Sequence, residues 1–196
     1  MSVFNKLATT LTFFTLFLAP ARLVAGEPST QLSATINEFV NILVNTPVAE
    51  LRAKGLPARA MELVFSRFDF SEMTKRSLGR HWGALAPADQ REFISAFTQK
   101  LLVAYGRTVR ASGDERIQFQ NEVIAGNDAT VKTTVVSKGD ELAIDYQLHA
   151  IDGQWKVYDM VIDHVSIVNN YRAQFDRVIA KSSVKELLQK MKQQDS

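Results

Sequence analysis

Between residues 117 and 163 the chain alternates apolar and polar side chains with a period of two, interrupted by three short breaks: Gly126-Asn127-Asp128, Lys138-Gly139-Asp140 and Asp152-Gly153. No other feature constrains the fold as much. Breaks this short, built of Gly, Asn and Asp, suit tight hairpin turns. They divide the stretch into four strands, Ile117 to Ala125, Ala129 to Ser137, Glu141 to Ile151 and Gln154 to Asp163. Consecutive hairpins force an antiparallel meander, because a parallel neighbour needs a crossover of about a dozen residues or more. Alternation then assigns faces. Leu142, Ile144, Tyr146 and Leu148 share one side of the third strand, with Asp145, Gln147 and His149 on the other. Val131 and Val135 flank Thr133 on one side of the second strand, and Trp155, Val157 and Val161 are expected to share a face with Asp159 and Asp163 on the fourth.

Around this stretch the apolar period is helical. Leu32, Ile36, Phe39, Val40 and Leu43 fall on one helix face that Pro47 ends, and after the Gly55-Leu56-Pro57 break a short helix is expected from Ala58 to Phe65. A third helix is expected from Glu72 to Leu78 with Ser71 as its N-cap, stopping near Gly79 just before Trp82. The longest helix opens at Pro87, a residue suited to a first helical position, and should reach about Val109. Its stripe is Phe93, Phe97, Leu101 and Tyr105, widened by Ile94 and Leu102. Beyond the strands, Ser166 should cap a helix bearing Ile167, Tyr171 and Phe175, and Ser183-Val184-Lys185-Glu186 has the form of a capping box before Val184, Leu187, Leu188 and Met191. The expected class is α+β, with helices wrapped on one face of a four-stranded antiparallel meander sheet.

The first 25 residues read differently. Lys6 precedes an uncharged apolar run from Leu7 to Leu18, followed by small residues with candidate cleavage points after Ala21 or Ala25. The run is too short to span a bilayer, so residues 1–25 are expected to be a cleaved signal peptide and residues 26–196 a single domain. Cleavage would remove Lys6 and Arg22 but no acid, taking 23 basic and 21 acidic residues to 21 of each. A neutral chain gives no support to nucleic-acid binding, which needs cations to neutralise phosphates. With no cysteine in the chain, there is neither a disulfide nor a lipid-attachment thiol, so the expected product is a soluble exported domain held by its core.

Chemistry is sparse. His81, His149 and His164 stand at no metal-ligand spacing, and no nucleophile elbow, phosphate loop or dinucleotide fingerprint is present. Asp145 with His149, or Asp159, could serve a cavity enzyme as a general base, although alternation puts Asp145 and His149 opposite the apolar row of their strand. Lys75, Arg76 and Arg80, and Arg107 with Arg110, could form small basic patches at helix ends. The aromatic residues could equally close into a solid core or leave a slot.

The segments RFDFSEMTKRSLGRHW (67–82), EFISAFTQKLLVAYGRTV (92–109), IDYQL (144–148) and WKVYDMVIDHVSIVNNYRAQF (155–175) resemble the periplasmic phospholipid-binding proteins of the MlaC type, also called toluene-tolerance auxiliary proteins. The resemblance runs from about residue 30 to the last helix. Two positions depart from the family pattern: Ala86 stands where Ser or Thr usually precedes the proline, and Asp163-His164 where an acid and a glycine are usual. The resemblance implies a monomeric, non-enzymatic periplasmic carrier with no cofactor, holding a glycerophospholipid as cargo. It implies partners at both membranes: an outer-membrane lipoprotein complex, and an inner-membrane MCE-domain protein of an ABC transporter, together maintaining outer-membrane lipid asymmetry. On that reading the tails would lie between Val131, Val135, Leu142, Ile144, Tyr146 and Leu148 of the sheet and Phe93, Phe97, Leu101 and Tyr105 of the long helix. Phe70, Trp82, Val157, Val161 and Tyr171 would complete the walls. Two other readings stay open: a lipid-free adaptor or chaperone with a solid aromatic core, and a cavity enzyme using Asp145 or Asp159.

Overall fold

The structure, a computed structural model, describes residues 27–106 and 115–194. The signal peptide expected over residues 1–25, the end of the long helix near Val109, and Arg107 and Arg110 lie outside the described residues. Helices α1 (Pro28–Val44), α2 (Val48–Lys54), α3 (Ala58–Arg67) and α4 (Phe70–Leu78) come first. A 3₁₀ segment (Gly79–Ala84) leads to the long helix α5 (Pro87–Gly106). Five strands follow, β1 (Arg116–Ala125), β2 (Asp128–Ser137), β3 (Asp140–Ile151), β4 (Gln154–Ile162) and β5 (Val165–Ser166), and then α6 (Ile167–Lys181) and α7 (Val184–Gln194). The class is the expected α+β, and the strands pair in chain order, each antiparallel to the next. The sheet has five strands rather than four, because Asp163-His164 makes a further two-residue turn, pairing Ile162 with Val165.

The turns follow from local chemistry. Ile151 pairs with Gln154 across Asp152 and Gly153, whose φ angles of 48° and 77° give the backbone hand that matches strand twist. The fourth turn reaches the same left-handed region without a glycine, at Asp163 (φ 45°) and His164 (φ 68°). Side chains there carry a steric cost that Gly lacks.

Bulges correct the face assignment on β4. Gln147 pairs with Asp159 but Leu148 pairs with Val157, so Tyr158 is an extra residue on β4. One inserted residue exchanges the two faces beyond it. Trp155 and Val157 therefore face inward with Ala150 and Leu148, but past the bulge Met160 and Ile162 sit opposite Tyr146 and Ile144. Val161 instead pairs with Asp145, on the opposite face to Trp155 and Val157. A second bulge on β1, between Phe119 and Glu122, turns Glu122 toward the start of α1, where its Oε2 accepts the Ser29 N–H at 2.6 Å. That carboxylate takes a first-turn N–H that has no partner within the helix, since Glu27 makes no side-chain cap bond.

Two further differences concern helix starts. Asp69, not Ser71, caps α4: its Oδ1 accepts the Glu72 N–H at 2.9 Å. Its Oδ2 lies 3.0 Å from His149 Nε2, tying the helix start to β3. Helix α2 was not legible because it buries no residue, leaving no apolar stripe to read. Ser166 and Ser183 cap as expected, each hydroxyl accepting the N–H three residues on, from Asn169 and Glu186.

Buried side chains form two groups. One is helical: Met73 and Leu78 of α4, Phe93, Ala96, Phe97 and Leu101 of α5, and the inward rows of α6 and α7. Within it Phe97 makes edge-on contacts with Tyr171 (4.9 Å) and Phe175 (5.2 Å), the favoured aromatic geometry. The other joins Leu32 of α1 to Ala129, Val131, Ile144, Tyr146, Leu148, Trp155 and Val157 of the sheet. Phe68, Met160 and Ile162 touch both. A small domain usually has one contiguous core. Here a cavity lies along the seam.

Candidate functional site

The cavity has a volume of about 500 Å³, within the range of ligand pockets of roughly 300–1,000 Å³. Its sheet wall is Ile117, Val135, Leu142, Ile144, Tyr146, Met160 and Ile162. Its helical wall is α1, through Leu32, Thr35, Ile36, Phe39, Val40 and Leu43, with Leu63, Val64 and Arg67 of α3. Leu56, Phe68, Phe70, Met73, Leu101, Leu102, Tyr105, Glu115 and Ile167 close the rest. Two strand bulges bend the sheet around this space. Ile36, Phe39 and Val40 of α1 and Leu142 of β3 thus keep apolar surface toward a void rather than packing against each other.

Of the wall residues expected from sequence, Phe70, Leu101, Tyr105, Val135, Leu142, Ile144 and Tyr146 line the cavity. Phe93, Phe97, Val131, Leu148, Val157 and Tyr171 are packed in one or other core instead. Trp82, in the 3₁₀ segment, packs at the margin of the helical core. The α5 stripe thus divides along its length: its first turns meet α6 and α7, and only its last turns reach the cavity. Val161 is on the other face of the sheet, as the bulge dictates. The α1 row was legible as a helix face, but nothing in its spacing said which surface it would meet. Met160 and Ile162 were missed for one reason, the extra Tyr158.

Polar groups at the cavity are few. Burial pushes the Tyr146 phenol up to about 12, and burial also raises those of Tyr105 and Tyr171, so these groups are neutral hydroxyls at ordinary pH. The Thr35 hydroxyl donates to the Gln31 carbonyl at 3.1 Å. Burial lowers the pKa of Arg67, the cation of the lining. No histidine, serine or cysteine is among the lining residues described.

The carboxylates weighed as bases are elsewhere. Asp145 faces Lys132 at 3.7 Å rather than His149, whose partner is Asp69. Asp159 is buried and structural, its Oδ1 accepting the Val168 N–H at 3.0 Å and its Oδ2 the Ser166 hydroxyl at 2.5 Å, which fixes the start of α6. Neither aspartate lines the cavity. Of the basic residues at helix ends, Lys75 and Arg76 pair with Glu72, and Arg80 lies 3.7 Å from Asp176. Among the described residues no cluster of three or more His, Cys, Asp or Glu could hold a metal, and no helix is long and apolar enough to cross a membrane.

The family model described as MlaC protein matches residues 33–193, from within α1 to within α7. The chain belongs to the MlaC family. Its fold is similar to that of the phospholipid-binding protein from Ralstonia solanacearum, solved in complex with a phospholipid. The two share 24% sequence identity with a TM-score of 0.76, over 86% of this chain and 97% of that one. An MlaC chain with a mostly apolar cavity, lined by neither Asp145 nor Asp159, has the parts of a container for apolar molecules.

Proposed function

We propose that this MlaC-family chain is a periplasmic phospholipid carrier, with the acyl tails held in the cavity between the sheet and α1, α3, α4 and α5. The observation that carries the reading is the seam between the two cores: an apolar void of about 500 Å³ in a fold otherwise rich enough in large side chains to fill it. Burying a methylene is worth about 0.8 kcal/mol, so a diacyl lipid loses on the order of 20 kcal/mol on entering water. Unaided crossing of an aqueous gap is then negligible, and a protein that covers the tails removes most of that barrier. The same reading assigns the partners as an outer-membrane lipoprotein complex and an inner-membrane MCE-domain protein of an ABC transporter, with outer-membrane lipid asymmetry as the outcome. A cavity of this kind suits loading and release at such partners without any chemical step.

The test is transfer of a fluorescent phospholipid between donor and acceptor vesicles. Substoichiometric protein should raise the rate in proportion to its concentration. A folded protein that leaves the rate at its spontaneous value contradicts the carrier reading.

A further inference from the structure

Arg67 is an unusual residue for the wall of an apolar cavity. It closes α3, lines the cavity and is half-buried. Its Nε donates to Thr35 Oγ1 at 3.0 Å, and its Nη1 to Gln31 Oε1 at 3.1 Å and to the Trp155 carbonyl at 2.6 Å. All three acceptors are neutral. Among the described residues Nη2 has no acceptor, and no carboxylate pairs with the guanidinium. Some arginines nearer the surface find acids: Arg59 reaches Glu38 at 2.6 Å and Arg76 reaches Glu72 at 2.8 Å. The residue that Arg67 grips carries a second unmatched donor, since Trp155 Nε1 is buried without an acceptor among the described residues.

We propose that Arg67 is the subsite for the anionic group of the cavity's ligand, a phosphodiester or a carboxylate, which accepts from the free Nη2 amino group of its guanidinium. The inference rests on the carrier reading and adds an orientation to it: the ligand's charged end lies toward α3 and the β3–β4 turn. A half-buried cation with only neutral partners leaves its desolvation poorly offset, and burial lowers its pKa accordingly. An anion arriving with the ligand supplies the missing charge, accepting a charge-assisted N–H···O bond from Nη2. A purely structural Arg67 would tie α1 to β4 through Nε and Nη1 and would be indifferent to the ligand's charge. The two roles are therefore separable.

The experiment titrates the wild type, Arg67→Gln and Arg67→Lys with three probes of the same acyl chain: dioleoylphosphatidylglycerol, oleate and neutral dioleoylglycerol. Arg67→Gln should weaken an anionic probe by about tenfold to a hundredfold more than it weakens the neutral probe, the worth of a charge-assisted bond. Arg67→Lys should recover part of the loss. The anionic probe that suffers more identifies phosphate or carboxylate as the group recognised. Equal losses for charged and neutral probes, or no loss at all, overturn the proposal. Should Arg67→Gln fail to fold, the wild type alone decides: a preference of about tenfold or more for phosphatidylglycerol over dioleoylglycerol supports it, and equal affinity overturns it. Absence of binding by every probe overturns the carrier reading as well, an outcome distinct from a failure of Arg67 alone.

Discussion

Val135 and Val161 are both half-buried valines on neighbouring parts of one sheet, and simple alternation makes both of them cavity walls. The bulge at Tyr158 separates them: Val135 lines the cavity, whereas Val161 pairs with Asp145 on the opposite face. Replacing each by arginine therefore gives a matched pair. In Val135→Arg the guanidinium must either lie among the ligand's tails or extend along its own stem toward water. The first option carries a desolvation penalty of several kcal/mol and the second occupies space the tails need. A net loss of about 2–4 kcal/mol in ligand binding is expected, which weakens affinity by roughly 30-fold to 1,000-fold. In Val161→Arg the added charge meets Asp145 and solvent, and affinity should stay within about twofold. Both variants lose the burial of half a valine, about 1 kcal/mol of stability, so the melting temperatures should fall together by a few degrees. Displacement of a fluorescent phospholipid, read beside thermal melting, measures both quantities. If Val161→Arg loses lipid as severely as Val135→Arg at equal stability, the bulge argument is wrong. If Val135→Arg binds at the parental level, the wall itself is misplaced.

Three other outcomes follow from particular residues. Leu148, fully buried in the sheet core beside but not on the cavity, should cost about 2–5 kcal/mol of stability when cut to alanine, with lipid affinity preserved in the folded fraction by titration. His164→Gly should raise stability by about 0.5–1 kcal/mol in urea unfolding, because release of a left-handed side chain outweighs the extra chain entropy of glycine. Tyr146 has its phenol pKa raised in the fold from 10.0 to about 12, so its contribution is intact below pH 10 and lost as pH climbs through the folded value. Tyr146→Phe should accordingly lose less stability between those two values than the wild type, by about 2–3 kcal/mol, when unfolding is followed in urea at several pH values.

The sheet was legible because its signals are local. Two-residue turns, alternation and hairpin chemistry fix which strands pair and in what sense, and the observed strand ends agree with the expected ones to within a residue or so. The helices with apolar stripes were legible for the same reason, whereas α2, with nothing buried, carried no such signal. The cavity was not legible, and the causes are physical. An apolar row has the same spacing whether it meets another row or an empty volume, so Phe97 and Tyr105 looked alike although one packs on Tyr171 and the other reaches the cavity. A single inserted residue, Tyr158, replaced Val161 by Met160 and Ile162 on the inner face. Arg67 carried no signal at all, because its isolation from acids is a property of the folded arrangement.

Mass spectrometry of the protein isolated from periplasm without detergent, under native and then denaturing conditions, tests the central claim most directly. The carrier account predicts extra mass in the native state that is released on denaturation and fragments as a glycerophospholipid. A folded protein at its bare polypeptide mass, unchanged when phospholipid is added back, would contradict it.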